Sequence, residues 1–180
     1  MKIKIITNPD RKITQSILYF QFRFMNWTPR ELRYQDDRYG TVPFGYVISY
    51  KDNEIVGVLN LHTRKIKTKT QDIVLGGLGG MCTHSKFRRQ GIATQLLKRG
   101  MKVLEDNKCD IAFLCTDLKT LAPLYARVGF VPLNRKYKAT GATGKIYTDE
   151  EGMIAPVNSK TIFRQVLENT EPFDLQGQDW

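Results

Sequence analysis

The sequence predicts a mixed α/β (α+β) fold, in which helices flank a mostly antiparallel sheet. Residues 44–66 supply the first observation, because two apolar strand-like segments meet at Asp52 and Asn53, a pair typical of a hairpin turn. Residues 76–105 supply the second, since a glycine-rich strand passes through a basic turn into a helix that begins at Gly91. Strand-like and helix-like segments alternate through the rest of the chain, which indicates a mixed architecture.

The N-terminal part of the chain predicts one strand and two helices. Residues 2–7 form an apolar strand, and residues 12–27 carry apolar side chains at helical spacing. A second helix begins after Thr28, because Pro29 suits the first helical position and Glu31 completes a capping box with Thr28. The first helix therefore ends before Thr28, and a new one starts there.

Glycine is concentrated in the predicted fourth strand, residues 71–83. Glycine weakens a strand unless a bulge or a close backbone approach requires it, so we expect such a feature here. Residues 109–116 then form a short apolar strand, and residues 118–128 form a helix that ends at Gly129. The remaining predicted elements are strands at 131–137, 145–147 and 153–157, a helix at 159–168, and an extended tail at 169–180.

The composition is that of one globular domain spanning residues 1–180. Hydrophobic residues make up 41% and charged residues 26% of the chain, and no apolar segment approaches the ~20 residues that cross a bilayer. Residues 1–6 predict a strand rather than the apolar core of a signal peptide. The three cysteines are an odd number and lack a metal-type spacing to histidine. We therefore expect reduced thiols, no metal, no membrane association and a cytoplasmic location.

The net charge of +10 favours the binding of an acidic partner. The basic residues are spread along the chain rather than gathered in a tail, and a ligand with several phosphates accounts for part of the excess. We therefore predict no nucleic-acid partner. The sequence leaves the oligomeric state open, with a homodimer among the alternatives.

Phosphate binding is predicted at the start of the helix that follows the fourth strand. A helix N-terminus has free N–H groups and a partial positive charge, which together attract phosphate. Lys86, Arg88 and Arg89 add full charges just before it, and Gly91 allows a backbone to come close to a ligand. This arrangement predicts a pyrophosphate site between strand and helix.

Two motifs resemble landmarks of the GNAT superfamily of N-acetyltransferases. One is Arg-x-x-Gly-x-Ala, formed by Arg88, Gly91 and Ala93, and the other is Tyr-x-x-x-Gly-Phe, which begins at Tyr125 and ends at Phe130. The resemblance implies the GNAT fold, with its sheet splayed at strand 4, and acetyl-CoA as co-substrate. Matching the motifs residue by residue implies acetyl-CoA contacts at Met81, Cys82, Thr83, Arg88, Arg89, Gln90, Gly91, Ile92, Ala93 and Thr94.

The same resemblance implies a catalytic acid and leaves the base open. It carries a tyrosine that protonates the leaving CoA thiolate onto Tyr125, whose phenol has a suitable basicity. Many GNAT enzymes use a fourth-strand Glu as base, but Gly79 stands near that place in this sequence. His84 and Asp117 are the alternatives, whereas His62 is expected to be structural. A site that admits the neutral amine would need no base.

The acceptor side is predicted from two resemblances. In GNAT proteins the first helix pair and its loop cover the acceptor, which makes Trp27, Tyr34, Asp36 and Asp37 candidates. A core position is favoured for Trp27, and a solvated loop explains the two Asp residues equally well. The C-terminal half is similar to aminoglycoside 2′-N-acetyltransferases, through a Leu-Tyr-x-x-x-Gly helix end, an acidic turn and a tail that ends in Trp. In that family, acidic turn and tail groups bind a polycationic sugar. The match implies acceptor contacts at Asp149, Glu150, Glu151, Asp179 and Trp180.

The sequence therefore predicts an acetyl-CoA-dependent N-acetyltransferase that acts on a primary amine. The C-terminal resemblance favours a small polyamine or aminoglycoside-like acceptor. The positive net charge of the chain would repel such a cation at long range. Two alternatives stay open: an acetyltransferase for protein or peptide amines, and a non-catalytic module that binds CoA.

Overall fold

The computed structural model describes residues 1–25, 27–69 and 71–180. Its described strands form one seven-stranded sheet and one three-stranded sheet. The large sheet contains, in spatial order, β1 (Lys2–Thr7), β2 (Gly45–Lys51), β3 (Glu54–Lys67), β4 (Asp72–Thr83), β5 (Ile111–Cys115), β9 (Gly152–Pro156) and β6 (Val131–Pro132). The small sheet contains β10 (Phe173–Asp174), β7 (Tyr137–Thr140) and β8 (Ile146–Asp149).

Five helices flank these sheets in the described part of the chain, and they are α1 (Arg11–Phe24), α2 (Pro29–Leu32), α3 (Ile92–Asp106), α4 (Leu118–Ala126) and α5 (Lys160–Glu168). Neighbouring strands of the large sheet are antiparallel except β4 and β5, which run parallel. The predicted fold class, a mostly antiparallel sheet flanked by helices, is confirmed.

Strand β4 separates from β5 halfway along its length. The two strands pair only from Leu75 to Gly77 on β4, although β4 continues to Thr83. Beyond this point β5 stays paired with β9 on its other edge. The sheet is therefore splayed at its fourth strand, as the resemblance implied, and the gap leaves main-chain groups of β4 and β5 without strand partners.

Different helices cover the two faces of the large sheet. On one face α3 inserts Leu96 and Leu97 into a core that includes Leu59 of β3. On the other face α1 packs Ile17 and Phe20 against β2 and β3. A third cluster joins α5, β5, β9 and the C-terminal tail. Packed side chains therefore lie on both faces of the sheet and hold the strands β4 and β5 in place where they separate.

The late part of the chain differs from its sequence-based prediction. The predicted strand at 131–137 is two strands in two sheets, because β6 pairs with β9 while β7 begins at Tyr137 and pairs with β8 and β10. The tail is not simply extended, since β10 pairs with β7 and the last residues fold back into the interior. Asn26, within the predicted first helix, lies outside the described residues. None of the helices in the described ranges has the length and apolar character needed to cross a membrane.

Candidate active site

A bulge in β4 faces the open end of the splay. The pairing register between β3 and β4 shifts between Val58 and Asn60, and Gly80 lies opposite this shift with φ +52°. A Cβ at Gly80 would also lie 2.5 Å from Asn60 Nδ2, so both backbone angle and space require glycine. The bulge lies beyond Gly77, the last β4 residue that pairs with β5, and it is one of the two features that the glycine-rich strand predicted.

Two other β4 glycines, Gly77 and Gly79, make room for the end of the chain. A Cβ at Gly77 would collide with the indole ring of Trp180, and a Cβ at Gly79 would lie 3.1 Å from the Trp180 main-chain carbon. The same position at Gly79 is 3.4 Å from His62 Nε2. The departure from the family pattern at Gly79 therefore has a steric cause, because Trp180 and His62 occupy the space that a fourth-strand Glu would fill.

The basic turn presents free N–H groups to open space. Gln95 N–H donates to Gly91 O in the first backbone bond of α3, so the N–H groups of Ile92, Ala93 and Thr94 precede the helical ladder. Gly91 has φ +76°, and a Cβ added there would meet no atom within 4 Å. Arg88 is exposed, and its Nε donates to Thr83 O at 3.3 Å. The donors, the charge and the open space fit a pyrophosphate.

A cavity of about 340 Å³ lies at the splay. On the side of the basic turn it is lined by Met81 of β4, Thr116 after β5 and Tyr125 of α4. On the opposite side lie residues of α2, of the loop after it, of β3 and of the C-terminal tail. Of the residues predicted to contact acetyl-CoA, Met81 lines the cavity, and the cavity connects it with Tyr125 and with a second group of side chains.

Tyr125 is the residue of α4 whose titratable side chain lines the cavity. It is 8% exposed, and its ring meets Phe130 edge-on at 6.3 Å between centroids. Burial raises the pKa of Tyr125 above its ordinary value, while a hydrogen bond with Thr116 opposes the rise. The phenol therefore keeps its proton at neutral pH and is able to donate it.

The two sequence-predicted bases lie outside the cavity lining. Asp117 caps α4 by accepting Thr120 N–H at 3.2 Å, and this hydrogen bond lowers the pKa of its exposed carboxyl. His84 packs against Phe24 at 4.3 Å between ring centroids, and its Nδ1 accepts Lys86 N–H at 3.1 Å. Both side chains have local structural roles at the positions they occupy.

His62 and Trp180 form the floor of the cavity. Their rings stack at 5.5 Å between centroids and 11° between planes, and Trp180 Nε1 donates to Phe113 O at 3.3 Å. His62 is 2% exposed, and its Nδ1 has no hydrogen-bond partner among the described residues. Burial, assisted by the charge of Arg64, lowers the pKa of His62 to about 3, so the imidazole is neutral.

Two of the six acidic residues predicted for the acceptor, Asp149 and Asp179, contact an arginine side chain and do not line the cavity. Arg38 Nη2 lies 2.8 Å from Asp149 Oδ2 and 3.2 Å from Asp179 Oδ2, and Tyr137 Oη donates to Asp179 at 2.9 Å. Burial opposes ionisation of Asp149, but hydrogen bonds from Arg38 and from the main chain keep its pKa below the ordinary value. Burial raises the pKa of Asp179, which is fully enclosed.

The other acidic candidates also lie outside the cavity lining. Asp36 accepts Arg38 N–H at 2.8 Å, and Asp37 accepts Tyr147 O–H at 2.7 Å. Glu150 and Glu151 are exposed in the turn before β9. Among the residues predicted for the acceptor side, Trp27, Tyr34 and Trp180 line the cavity.

Several cavity residues were not predicted from the sequence. Glu31 was identified only as a helix cap, and its Oε2 accepts Thr28 N–H at 2.6 Å. Asn60 accepts Gln21 Nε2 at 2.8 Å within the sheet, and Tyr39 and Cys115 lie near the tail. No local motif contains these residues, because distant parts of the chain bring them together.

Comparisons with known proteins agree with this geometry. The family model described as "Acetyltransferase (GNAT) domain" matches residues 12–133. The GNAT family N-acetyltransferase YhbS from Escherichia coli, solved in complex with CoA, is similar with a TM-score of 0.66 and 14% identity over 98% of this chain and 91% of that chain. ElaA from Escherichia coli has a TM-score of 0.59 and 15% identity over 86% of this chain and 98% of that chain.

Other similar structures are much longer. Eis1 from Mycobacterium abscessus has a TM-score of 0.57 and 17% identity, with 76% of this chain covering 32% of that one. Structures from Enterococcus faecalis and Kribbella flavida are each covered to 35% of their length, so the chain spans about a third of these proteins. At such identities the likeness shows the fold. No curated protein matches the sequence significantly.

Proposed function

Because the chain belongs to the acetyltransferase (GNAT) domain family, we propose that it moves an acetyl group from acetyl-CoA to the primary amine of a small molecule. One observation carries this proposal: a cavity opens where β4 leaves β5, with Tyr125 and the β4 bulge on one side of it. A thioester held by the bulge would lie between a proton donor and a chamber for the amine.

The donor side is assigned to acetyl-CoA. The N–H groups at the start of α3, with Arg88 and Arg89, would hold the pyrophosphate. Main-chain groups near Met81 and Thr83 would pair with the pantetheine arm as an added strand does. The N–H of a residue near Met81 would also stabilise negative charge on the thioester oxygen. The complex of the similar protein YhbS with CoA supports this assignment.

Tyr125 serves as the acid in the proposed reaction. The amine nitrogen bonds to the thioester carbon, the carbon–sulfur bond breaks, and Tyr125 gives its proton to the departing thiolate. The protonated amide nitrogen loses its extra proton to water. Cys115 also lines the cavity, but burial and neighbouring Asp179 raise the pKa of its thiol, so it is a poor nucleophile. Direct transfer is therefore favoured over an acetyl-enzyme.

The amine enters in its neutral form in this proposal. His84 and Asp117 are outside the cavity lining, and His62 is too weak a base to hold a proton at neutral pH. Of the two bases weighed from the sequence, neither has the position that abstraction of the amine proton requires. The free fraction of neutral amine then limits the rate at low pH.

The sequence leaves three alternatives, two acceptor classes and a non-catalytic module. A polyamine or aminoglycoside-like acceptor is favoured by the C-terminal resemblance, and a peptide amine is the first alternative. A module that binds CoA without turnover is the second. The cavity volume of about 340 Å³ favours a small molecule over a polypeptide, and α2, β3 and the tail all contribute to its acceptor side.

The decisive experiment measures free CoA thiol with acetyl-CoA and a panel of amines. The wild-type protein is expected to release thiol with at least one small amine, and Tyr125→Phe is expected to lower kcat by about 100-fold, the range of one acid catalyst. Tyr19→Phe, a matched change at a residue 66% exposed on α1, should leave kcat unchanged. Unchanged turnover in Tyr125→Phe would remove the acid role, and acetyl-CoA binding without turnover would favour the non-catalytic module.

A further inference from the structure

Two basic stretches of the chain, residues 64–69 and 135–138, meet at a second concave site. This groove has a volume of about 510 Å³ and lies between the end of β3, the start of β4, α5 and β10. Each stretch contributes two basic side chains to its lining. None of the described residues that line the groove also lines the active-site cavity. The proposed acetyl transfer therefore assigns no role to this groove.

The floor of the groove is apolar. Ile66, Ile73, Val166 and Phe173 line it, and all four side chains are buried. They belong to the hydrophobic cluster that joins α5, β5, β9 and the C-terminal tail. Because this cluster is packed, the core of the protein supports the floor. A concave site of this volume with an apolar floor suits a small organic molecule.

Positive charge exceeds negative charge around the groove. Its described lining contains four basic and two acidic residues, which are Lys67, Lys69, Arg135, Lys138, Glu171 and Asp174. Lys69 Nζ lies 2.8 Å from Glu171 Oε1 in an exposed ion pair. Lys138 Nζ lies 3.1 Å from Asp174 Oδ2. These two pairs use both carboxylates of the described lining, so the remaining positive charge favours an anionic ligand.

Arg135 carries part of this excess charge in a partly buried position. Its Nε donates to Glu171 O at 2.7 Å, and its enclosed Nη1 has no hydrogen-bond partner among the described residues. Burial lowers the pKa of Arg135 below its ordinary value, and no carboxylate of the described residues opposes this effect. A guanidinium nevertheless stays charged in proteins. Its charge is therefore partly desolvated without a counterion, and a bound anion would compensate it.

We propose that this groove binds a small organic anion with an apolar body, such as a medium-chain carboxylate. The anionic group lies at Arg135, and the apolar body covers Val166 and Phe173. Both parts of the ligand are needed for tight binding. An inorganic anion would leave the apolar floor in contact with water, and an amine with the same body would meet the excess of positive charge. This site is separate from the active-site cavity, and its ligand does not depend on acetyl transfer.

The ligand class is tested with anilinonaphthalene sulfonate, an aromatic anion whose fluorescence rises when it leaves water. The probe is titrated into the full chain at fixed ionic strength, with excess CoA present to occupy the basic turn before α3. Decanoate, decylamine and inorganic phosphate then compete at equal concentrations. Decanoate is expected to displace the probe, whereas decylamine has the opposite charge and phosphate has no apolar body. Equal displacement by decylamine would overturn the anionic class, and equal displacement by phosphate would overturn the need for an apolar body.

The position of the site is tested with Arg135→Gln. Loss of one charged hydrogen-bond donor is expected to raise the Kd of the probe about tenfold. Arg127→Gln is the matched control, because Arg127 is exposed at the end of α4 and does not line the groove. Arg135→Lys keeps the charge and should bind the probe more tightly than Arg135→Gln does. Urea unfolding of each variant shows whether it is folded. The same Kd in Arg135→Gln, Arg135→Lys and Arg127→Gln would overturn the assignment of the site.

Discussion

The two sides of the cavity are built in different ways. Most of the donor side comes from one continuous segment, which runs from the β4 bulge at Gly80 through the basic turn to the start of α3, and α4 adds Tyr125 to it. The acceptor side combines α2, the loop after it, β3 and the tail, and its Arg38–Asp179 contact joins residues 141 positions apart. A continuous segment keeps its conformation with few tertiary contacts, whereas a surface built from several distant segments depends on each contact between them. Substitutions on the acceptor side should therefore cost stability, and those on the donor side should cost binding.

The largest expected effect is at Arg38, which supports the acceptor wall. Arg38→Gln leaves the enclosed Asp179 carboxylate without its cation, and removal of one partner of a buried pair costs about 3–5 kcal/mol. Urea unfolding at about pH 7 should show this loss in the free energy of unfolding. Lys102→Gln, which breaks only exposed pairs with Glu105 and Asp106, should stay within about 0.5 kcal/mol.

The same variant predicts a pH dependence with a definite sign. Burial raises the pKa of Asp179 in the folded protein above the ordinary 3.8, so the folded state binds the proton more tightly than the unfolded state does. Stability then falls as pH rises from that ordinary value through the raised one. Loss of Arg38 should strengthen this trend. The difference in the free energy of unfolding between Arg38→Gln and the wild type should therefore become smaller at acidic pH. A difference that grows at acidic pH would contradict the buried-carboxylate explanation.

An intermediate effect is expected where β4 meets the tail. Gly77→Ala places a methyl group on the ring of Trp180, and overpacking of this kind costs about 1–3 kcal/mol. Displacement of the ring should raise the KM for the amine more than that for acetyl-CoA. Gly144→Ala is the matched control, because its φ of +84° is strained but a Cβ there meets nothing within 4 Å. Equal changes in both KM values would show that the tail does not belong to the acceptor side alone.

The difference between the donor side and the acceptor side also explains which features the sequence predicted. The basic turn and the helix start after it followed from residues close together in the chain, where turn chemistry and helix termini act locally. The splayed sheet and the position of Tyr125 were implied by the resemblance of two short motifs to the GNAT superfamily. The acceptor wall as a whole followed from neither, because Glu31 resembles any capping residue and Arg38 any loop arginine until the fold pairs it with Asp149 and Asp179. Gly77 and Gly79 were predicted to allow a close approach, but Trp180 as the approaching residue depends on tertiary packing.

A smaller, purely functional effect is expected on the donor side. Arg88→Ala removes one exposed charge from the proposed pyrophosphate site and should raise the KM for acetyl-CoA about tenfold, which corresponds to about 1.4 kcal/mol. Because Arg88 is exposed, the free energy of unfolding and the KM for the amine should stay unchanged. Arg99→Ala, at an exposed position further along α3, is the control. An unaltered KM for acetyl-CoA in Arg88→Ala would place the pyrophosphate elsewhere.

The last prediction concerns the pH profile of the wild-type protein, in which neither Tyr125 nor His62 should produce an inflection at neutral or mildly alkaline pH. Burial raises the pKa of Tyr125 above its ordinary value of 10.0, so the proposed acid stays protonated at neutral and mildly alkaline pH. His62, with a pKa of about 3, remains neutral and should give no inflection near its ordinary value of 6.5. The value of kcat/KM should therefore rise as the amine loses its proton and should not fall below about pH 10. A decline centred well below that pH, measured with saturating acetyl-CoA, would show that a different group donates the proton to the thiolate.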